Sequence, residues 1–495
     1  MLRLLAAVTL PLAMLAPPSP PALSTPARVS AAELAGAWAG TASHDGETTP
    51  VAVELEPGDD GKVLVKLSAP VVHLRHAPLG RVVPAQGQDG QLLLGPFAFT
   101  YDASARTLRG DVPEALAPVY RLPMTLQRVE RLDLPPRPDP EVPAKSPAWM
   151  FEAHAPLWPG TSFAAGTVYA GGDDGQMYAL EAATGKQRWV FAAGGAIRSR
   201  AVAAHGALYF QADDGVLYAL DAASGHERWR VRVLDRPVVR LPPSEPGSRF
   251  DRFASDVTVA GGRLYLGGHD GRLLCLDAAQ GHTIWQFASG DSVLAAPAVE
   301  GGRVYFGSYD GRVYALDAMT GRALWMHDTG KPVVSTPAVF GGRVIVGSRS
   351  YDLLAVDAAT GAVAWKRYVW FSWVESSPVV RDGIVYVGSS DAAALYAVDA
   401  RSGRPVWTTD VWGWAWGQPA VTDGRVYMGT SALGGYAVAH RAGIMAVDRA
   451  TGAPAWRHLA PPVAEKAYGF TGSTAVGGGR VYAASLDGKV YAFPE

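Results

Sequence analysis

The sequence predicts an all-β protein: an eight-bladed β-propeller preceded by a small antiparallel β-sandwich or barrel. Three observations predict it. First, an eleven-residue phrase recurs seven times, as ALEAATGKQRW, ALDAASGHERW, CLDAAQGHTIW, ALDAMTGRALW, AVDAATGAVAW, AVDARSGRPVW and AVDRATGAPAW. The copies end at Trp189, Trp229, Trp285, Trp325, Trp365, Trp407 and Trp456, so the gaps are 40, 56, 40, 40, 42 and 49 residues. A hairpin phrase at a period near 40 marks a repeat architecture. Second, each unit reads as four short apolar runs between turn residues. Third, the last unit is incomplete, and the missing strand is found at the other end of the repeat region.

The cleanest unit runs from Gly330 to Trp365. PAVF leads into Gly341-Gly342, RVIVGS into a polar tip, LLAVDA into Thr360-Gly361, and the last run carries Trp365. In five other units the tip between second and third runs is Asp-Gly: Asp174-Gly175, Asp214-Gly215, Asp270-Gly271, Asp310-Gly311 and Asp487-Gly488. This pair suits a tight hairpin in which both central residues take positive φ. Four short strands per unit is the pattern of a propeller blade.

The chain ends with GGGRVYAASLDGKVYAFPE, which lacks the Trp strand. Ser146 to Glu152 supplies a matching run, and Trp149 precedes Trp189 by the same 40 residues. Pairing the two ends makes an eighth blade and leaves no open sheet edge in the ring. The recurrent Trp reads as core: a ring of this size buries roughly 150–250 Å² against the next blade.

These phrases closely resemble the repeats of the pyrroloquinoline-quinone (PQQ) propeller family and its tryptophan-docking motif. The resemblance covers about Pro147 to Glu495. It implies the propeller fold, but three kinds of function: quinoprotein alcohol dehydrogenases holding PQQ and calcium, a non-enzymatic lipoprotein of outer-membrane β-barrel assembly, and sensor domains. The dehydrogenases clamp PQQ with a disulfide between adjacent cysteines. This chain has one cysteine, Cys275, at a position that is Ala in the other phrases. It has no Cys-x-x-Cys-His haem attachment site. None of the family's calcium ligands or catalytic residues transfers to a numbered position here.

The chain opens with Met-Leu-Arg, an apolar run from Leu4 to Leu15, and Pro- and Ser-rich sequence. This predicts a secretory signal peptide over residues 1–31, cut after Val29-Ser30-Ala31 or earlier near Ala22. No cysteine follows the apolar run, which excludes a lipoprotein anchor. The expectation is a soluble periplasmic or secreted monomer with no membrane segment after cleavage. Residues 32–132 carry no propeller phrase but show alternating runs, among them PVAVELE, KVLVKLS, QLLLG, FAFTYD and YRLPMTLQRV. Gly36-Ala-Trp38 resembles the Gly-x-Trp of lipocalin first strands. His73 and His76 read as a solvated loop, the alternative being a metal pair. Residues 133–146 form a Pro-rich linker and residues 147–495 the propeller.

Charge is nearly balanced, with 44 Lys+Arg against 46 Asp+Glu, which gives no electrostatic case for nucleic acid. Function is sought on one propeller face. The Gly-Gly and Thr-Gly turns are nearly constant from unit to unit, whereas length varies on the opposite side. There, about 16 extra residues follow Trp229, including RPVVRLPPSEPGSRFDRF, and the seventh blade's tip is extended through TSALGGYAVAHRAG. Insertions confined to one face mark a binding face.

Aligning the repeats gives two levels of residues entering the innermost strands on that face. The first is Trp158, Arg198, Ala254, Leu294, Val334, Glu375, Trp416 and Thr471. The second is Gly160, Arg200, Asp256, Ala296, Thr336, Ser377, Gln418 and Ser473. The candidate site at the channel mouth is Arg198, Arg200, Asp256, Glu375, Trp416 and Gln418, a mixture suited to a polar ligand or a peptide. The bland reading is that Arg198 and Arg200 pair with Asp256 or Glu375. Trp370, Phe371, Trp373, Trp412 and Trp414 are read as exposed aromatics that favour an interface. The function expected is a non-catalytic binding or scaffolding propeller with no cofactor. It would take an unidentified protein partner or a small polar ligand. The alternative is a PQQ- and calcium-dependent oxidoreductase without the cysteine clamp, with Asp256 and Glu375 as acid/base or calcium ligands and Trp416 against the quinone. A hydrolase or polysaccharide-binding role is a third possibility.

Overall fold

The computed structural model describes residues 29–495, except 88–89, 114–116, 118–119, 135–140, 242–247, 250, 435–437, 439 and 465. The chain divides into two compact units with a break after residue 139. The signal peptide expected over residues 1–31 lies, up to residue 28, outside the described residues.

The first unit opens with a single helical turn, α1 (Ala31–Leu34), capped by Ser30. The Ser30 side chain accepts from the Glu33 N–H, and the Glu33 carboxylate accepts from the Ser30 N–H, a reciprocal capping box. These bonds hold the Glu33 carboxyl below its ordinary range.

Nine antiparallel strands follow: β1 (Gly36–His44), β2 (Glu47–Pro57), β3 (Val63–Ala69), β4 (Leu74–Val82), β5 (Ala85–Gln86), β6 (Leu92–Leu94), β7 (Phe97–Asp102), β8 (Thr107–Asp111) and β9 (Pro123–Val129). They make one curled sheet in the order β4-β3-β2-β1-β9-β8-β7-β6-β5. The first strand pairs with the last, Ala37 opposite Val129. Of the two forms that the alternation allows, sandwich or barrel, the structure has a single sheet curled on itself. Its open edges are β4 and β5; Pro78 lies within β4 and Pro84 immediately before β5. Trp38 is wholly buried inside the curl and donates from Nε1 to the Leu34 carbonyl at 2.9 Å. The Arg128 guanidinium of β9 lies 5.9 Å from its ring centre. The expected His73–His76 loop is instead the start of β4. His73 ends a 3₁₀ turn at φ 55°, while His76, already in the strand, pairs with Glu54 of β2.

The second unit contains eight antiparallel four-stranded blades, the seventh with one added strand. The fifth is representative: Ala338–Phe340, Arg343–Gly347, Asp352–Asp357 and Val363–Tyr368. The eighth combines Ala475–Gly477, Arg480–Ala484 and Lys489–Pro494 with Trp149–Glu152. Trp149 stands opposite Ala492 and Glu152 opposite Lys489, so the two ends of the repeat region close the ring. In the seventh blade, Arg425–Leu433 is prolonged by the insertion and pairs with Ala467–Gly469.

The Trp of each phrase reaches the neighbouring blade. Trp149, Trp189, Trp285, Trp325, Trp365 and Trp407 donate from Nε1 to carbonyls of Ala182, Ala222, Ala318, Ala358, Ala400 and Arg449 at 3.0–3.2 Å. The ring lies on the glycine of the next blade's Thr-Gly-type turn. A Cβ on Gly361 would come within 2.7 Å of Trp325. The glycine is required twice, for φ 75° and for this close approach.

The Asp-Gly tips differ from expectation: only the glycine takes positive φ, 80° at Gly215. Asp214 instead accepts from the Val216 N–H at 3.0 Å and from the Tyr218 hydroxyl at 2.6 Å. The carboxylate thus closes the tip from the right-handed region, with no left-handed cost to a non-glycine residue.

Candidate functional site

The innermost strands of the ring begin at one face, and the loops feeding them surround a solvent-open cup of about 720 Å³. Its lining includes Arg198, Asp256, Glu375, Trp416 and Gln418, drawn from four blades. Sequence alignment of the repeats brings them together because equivalent positions in a cyclic repeat converge on the axis.

Arg200 is not in the lining. Its side chain spans the channel one level further in. Nε meets Asp256 Oδ2 at 3.2 Å and Nη1 donates to Gln418 Oε1 at 3.2 Å. Arg200 therefore ties the second, third and seventh blades together.

The short polar side chains at this level also have a backbone role. Asp256 accepts from the N–H of Arg200 at 2.6 Å, Thr336 from Ala296 at 3.2 Å, Ser377 from Thr336 at 2.9 Å and Ser473 from Gln418 at 3.2 Å. In these four places a blade satisfies a backbone donor of its neighbour. Burial raises the Asp256 carboxyl above its ordinary range, and Arg200 opposes the shift.

Other pairings depart from the sequence reading. Arg198 does not meet Asp256 or Glu375; its Nε lies 2.7 Å from Asp173 Oδ1, and its guanidinium rests 4.8 Å from the Trp158 ring centre. Burial lowers its affinity for its proton. Glu375 pairs with Arg349 at 2.6 Å, with both side chains about nine-tenths buried. Burial works against the Arg349 charge, but Glu375 and Tyr309 together outweigh it and hold the guanidinium above its usual range. Arg349 lies on a hairpin tip, Ser348-Arg349-Ser350-Tyr351, in which Ser350-Tyr351 stand where five other blades carry Asp-Gly and Arg349 stands at the position of Tyr309. That departure from the repeat is the sequence signal that could have singled it out.

The aromatics are not exposed. Phe371, Trp412, Trp414 and Trp416 are 5%, 6%, 6% and 7% accessible, and Trp370 and Trp373 are half-buried. Trp416 and Trp414 stack at 4.8 Å with 13° between planes, and their Nε1 groups donate to Ser390 Oγ and Asp391 Oδ1. Alternating Trp residues on an irregular segment pack against one another because a buried indole face is stabilised by roughly 25 cal/mol per Å².

The insertion after the second blade forms one wall. Asp251, Arg252, Phe253 and Ala254 line the cup. Arg240 anchors the insertion by a bidentate pair to Asp213 at 2.7 and 2.8 Å. Arg249 lies 4.2 Å from the Tyr309 ring centre, and Arg252 lies 4.0 Å from that of Trp416. Burial lowers Arg252 to about 10, against the attraction of Glu375. His269, 3.5 Å from Asp251, is lowered to about 4 by burial and by Arg240. Arg252, Tyr309 and Arg349 are the mouth residues that the alignment of inner strands missed, because they sit on tips and in an insertion.

Comparison with known proteins agrees with this architecture. The family described as outer membrane protein assembly factor BamB matches residues 143–246, 240–372, 313–443 and 369–494. BamB from Moraxella catarrhalis has a similar fold, with a TM-score of 0.54 and 20% identity over 71% of this chain and 100% of that one. The quinohemoprotein alcohol dehydrogenase from Comamonas testosteroni gives 0.53 and 14% over 70% of this chain and 76% of that one. The serine/threonine-protein kinase AfsK of Streptomyces griseus is 34% identical over 123 residues, 25% of this chain. That match spans 14% of the kinase's own length. From residue 143 to residue 494, the chain belongs to the BamB-like family of PQQ-type propellers.

Proposed function

We propose that this is an exported, monomeric binding propeller without catalytic activity, and that its ligand or partner occupies the cup at the channel mouth. One observation carries the reading: the insertion after the second blade folds into the same cup that the inner strands surround. Length variation and polar-aromatic chemistry thus coincide on one face. Planar guanidinium groups, indole faces and hydroxyls suit a polar segment of a partner protein or a small polar ligand. A crosslinking side chain at Thr336, in the cup, should give partner adducts, and one at Gly341, on the opposite turns, should give none. Adducts from Gly341 alone would refute it.

A quinone held by calcium asks for free carboxylates, an open aromatic face and, in the dehydrogenases, paired cysteines. Here Arg200 engages Asp256, Arg349 engages Glu375, Arg252 covers Trp416, and Cys275 is buried inside the third blade. Among the described residues, no three His, Cys, Asp or Glu side chains come together as metal ligands. These residues do not fit the group.

Export is supported by the apolar run near the start, and no described helix is long and apolar enough to cross a membrane. Cleavage near Ala22 is favoured over cleavage after Ala31, because the latter would remove the Ser30 cap of α1. N-terminal sequencing of the mature protein tests this.

A further inference from the structure

Arg249 and Asp251–Ala254 lie at the mouth without strand structure of their own, and their main chain is held at almost every carbonyl. The Arg249 carbonyl accepts from Arg349 Nη1 at 2.9 Å and from the Tyr309 hydroxyl. The Asp251 carbonyl accepts from Arg240, and so does that of Phe253 at 3.3 Å. The Arg252 carbonyl accepts from Arg198 Nη1 at 3.2 Å, and the Ala254 N–H donates to the Arg198 carbonyl at 3.0 Å. These donors come from the second, fourth and fifth blades and from the insertion itself. The Arg252 guanidinium lies over the Trp416 ring, 4.0 Å from its centre, within the field of Glu375. An indole face backed by a carboxylate is a receptor for a planar cation.

We infer that the mouth is a receptor for an arginine-bearing extended peptide segment, and that Asp251–Ala254 fills it in cis as an internal pseudo-ligand. This rests on the reading that the mouth is the binding face. A partner's arginine replaces Arg252 on Trp416, and its carbonyls take the donors of Arg198 and Arg349. The guanidinium selects itself over an ammonium because it is flat and less strongly hydrated.

The test is Arg252→Ala, which uncovers the Trp416 face. The probes are N-acetyl-arginine amide and N-acetyl-lysine amide, titrated by calorimetry and by tryptophan fluorescence. The variant should bind the arginine probe at least tenfold more tightly than the unaltered protein, and at least fivefold more tightly than the lysine probe. Adding Trp416→Phe should reduce the gain. Equal binding by variant and unaltered protein overturns the pseudo-ligand, and equal binding of the two probes overturns the guanidinium class. If Arg252→Ala does not melt cooperatively, Arg252→Gln carries the same comparison. The broader reading of the mouth is tested separately by the crosslinks at Thr336 and Gly341, so the two can fail independently.

Discussion

Replacing Gly361 by alanine should cost about 3 kcal/mol, whereas the same change at Gly341 should cost about 1. Both glycines have positive φ, 75° and 57°. Both therefore incur the left-handed penalty of about 1 kcal/mol for an L-residue. They differ in what the new methyl meets. At Gly341 nothing lies within 4 Å; at Gly361 it would stand 2.7, 2.8 and 3.2 Å from three atoms of the Trp325 ring. The ring must lift, which weakens its 3.1 Å bond to the Ala358 carbonyl, about 1 kcal/mol. It also exposes part of an indole face, roughly another 1 kcal/mol at 25 cal/mol per Å². Urea denaturation of both variants, compared at equal slope, gives the difference. Equal losses at the two sites would refute the argument that the Trp ring bears on the next blade through this glycine.

Arg200→Ala should destabilise the protein more at pH 8 than at pH 5. Burial already raises the Asp256 carboxyl and Arg200 opposes this, so without Arg200 the group charges at still higher pH and its charge is then unpaired. Adding Asp256→Asn should remove the pH dependence in thermal melts. Trp416→Ala should cost about 3–5 kcal/mol, as for other buried aromatic truncations, because the indole is core as well as lining. Chemical denaturation checks it, and a loss under 1 kcal/mol would mean the site can collapse. Stability should also fall steeply on acidification below the ordinary carboxylate range. Asp317, Asp357, Asp399 and Asp448 are each lowered, first by hydrogen bonds from a Thr or Ser side chain at their hairpin turns. Groups lowered in the folded state contribute stability above their unfolded pKa and lose it as pH falls through the folded value. Calorimetric melts at pH 6 and pH 3 would show this, and Asp357→Asn should flatten the profile slightly.

The sequence by itself determined the propeller, its eight blades and the pairing that closes it. Each blade repeats the same local chemistry: a Trp strand, a Thr-Gly-type turn that the Trp ring requires, and a polar hairpin tip. Interactions within forty residues and between identical neighbours are legible because they recur. The positions at the mouth were legible for the same reason, since equivalent residues of a ring meet at its axis. What the sequence left open was the pairing of those residues. Arg198 found Asp173, Glu375 found Arg349, and Arg200 crossed the channel to Gln418. None of these follows from spacing, because the partners lie in different blades or on tips that break the repeat. Only the tertiary structure decided that the Trp-rich stretch from Trp412 to Trp416 turns inward, and that the insertion after Trp229 returns to the mouth. Both outcomes depend on surfaces that exist only once neighbouring blades have come together.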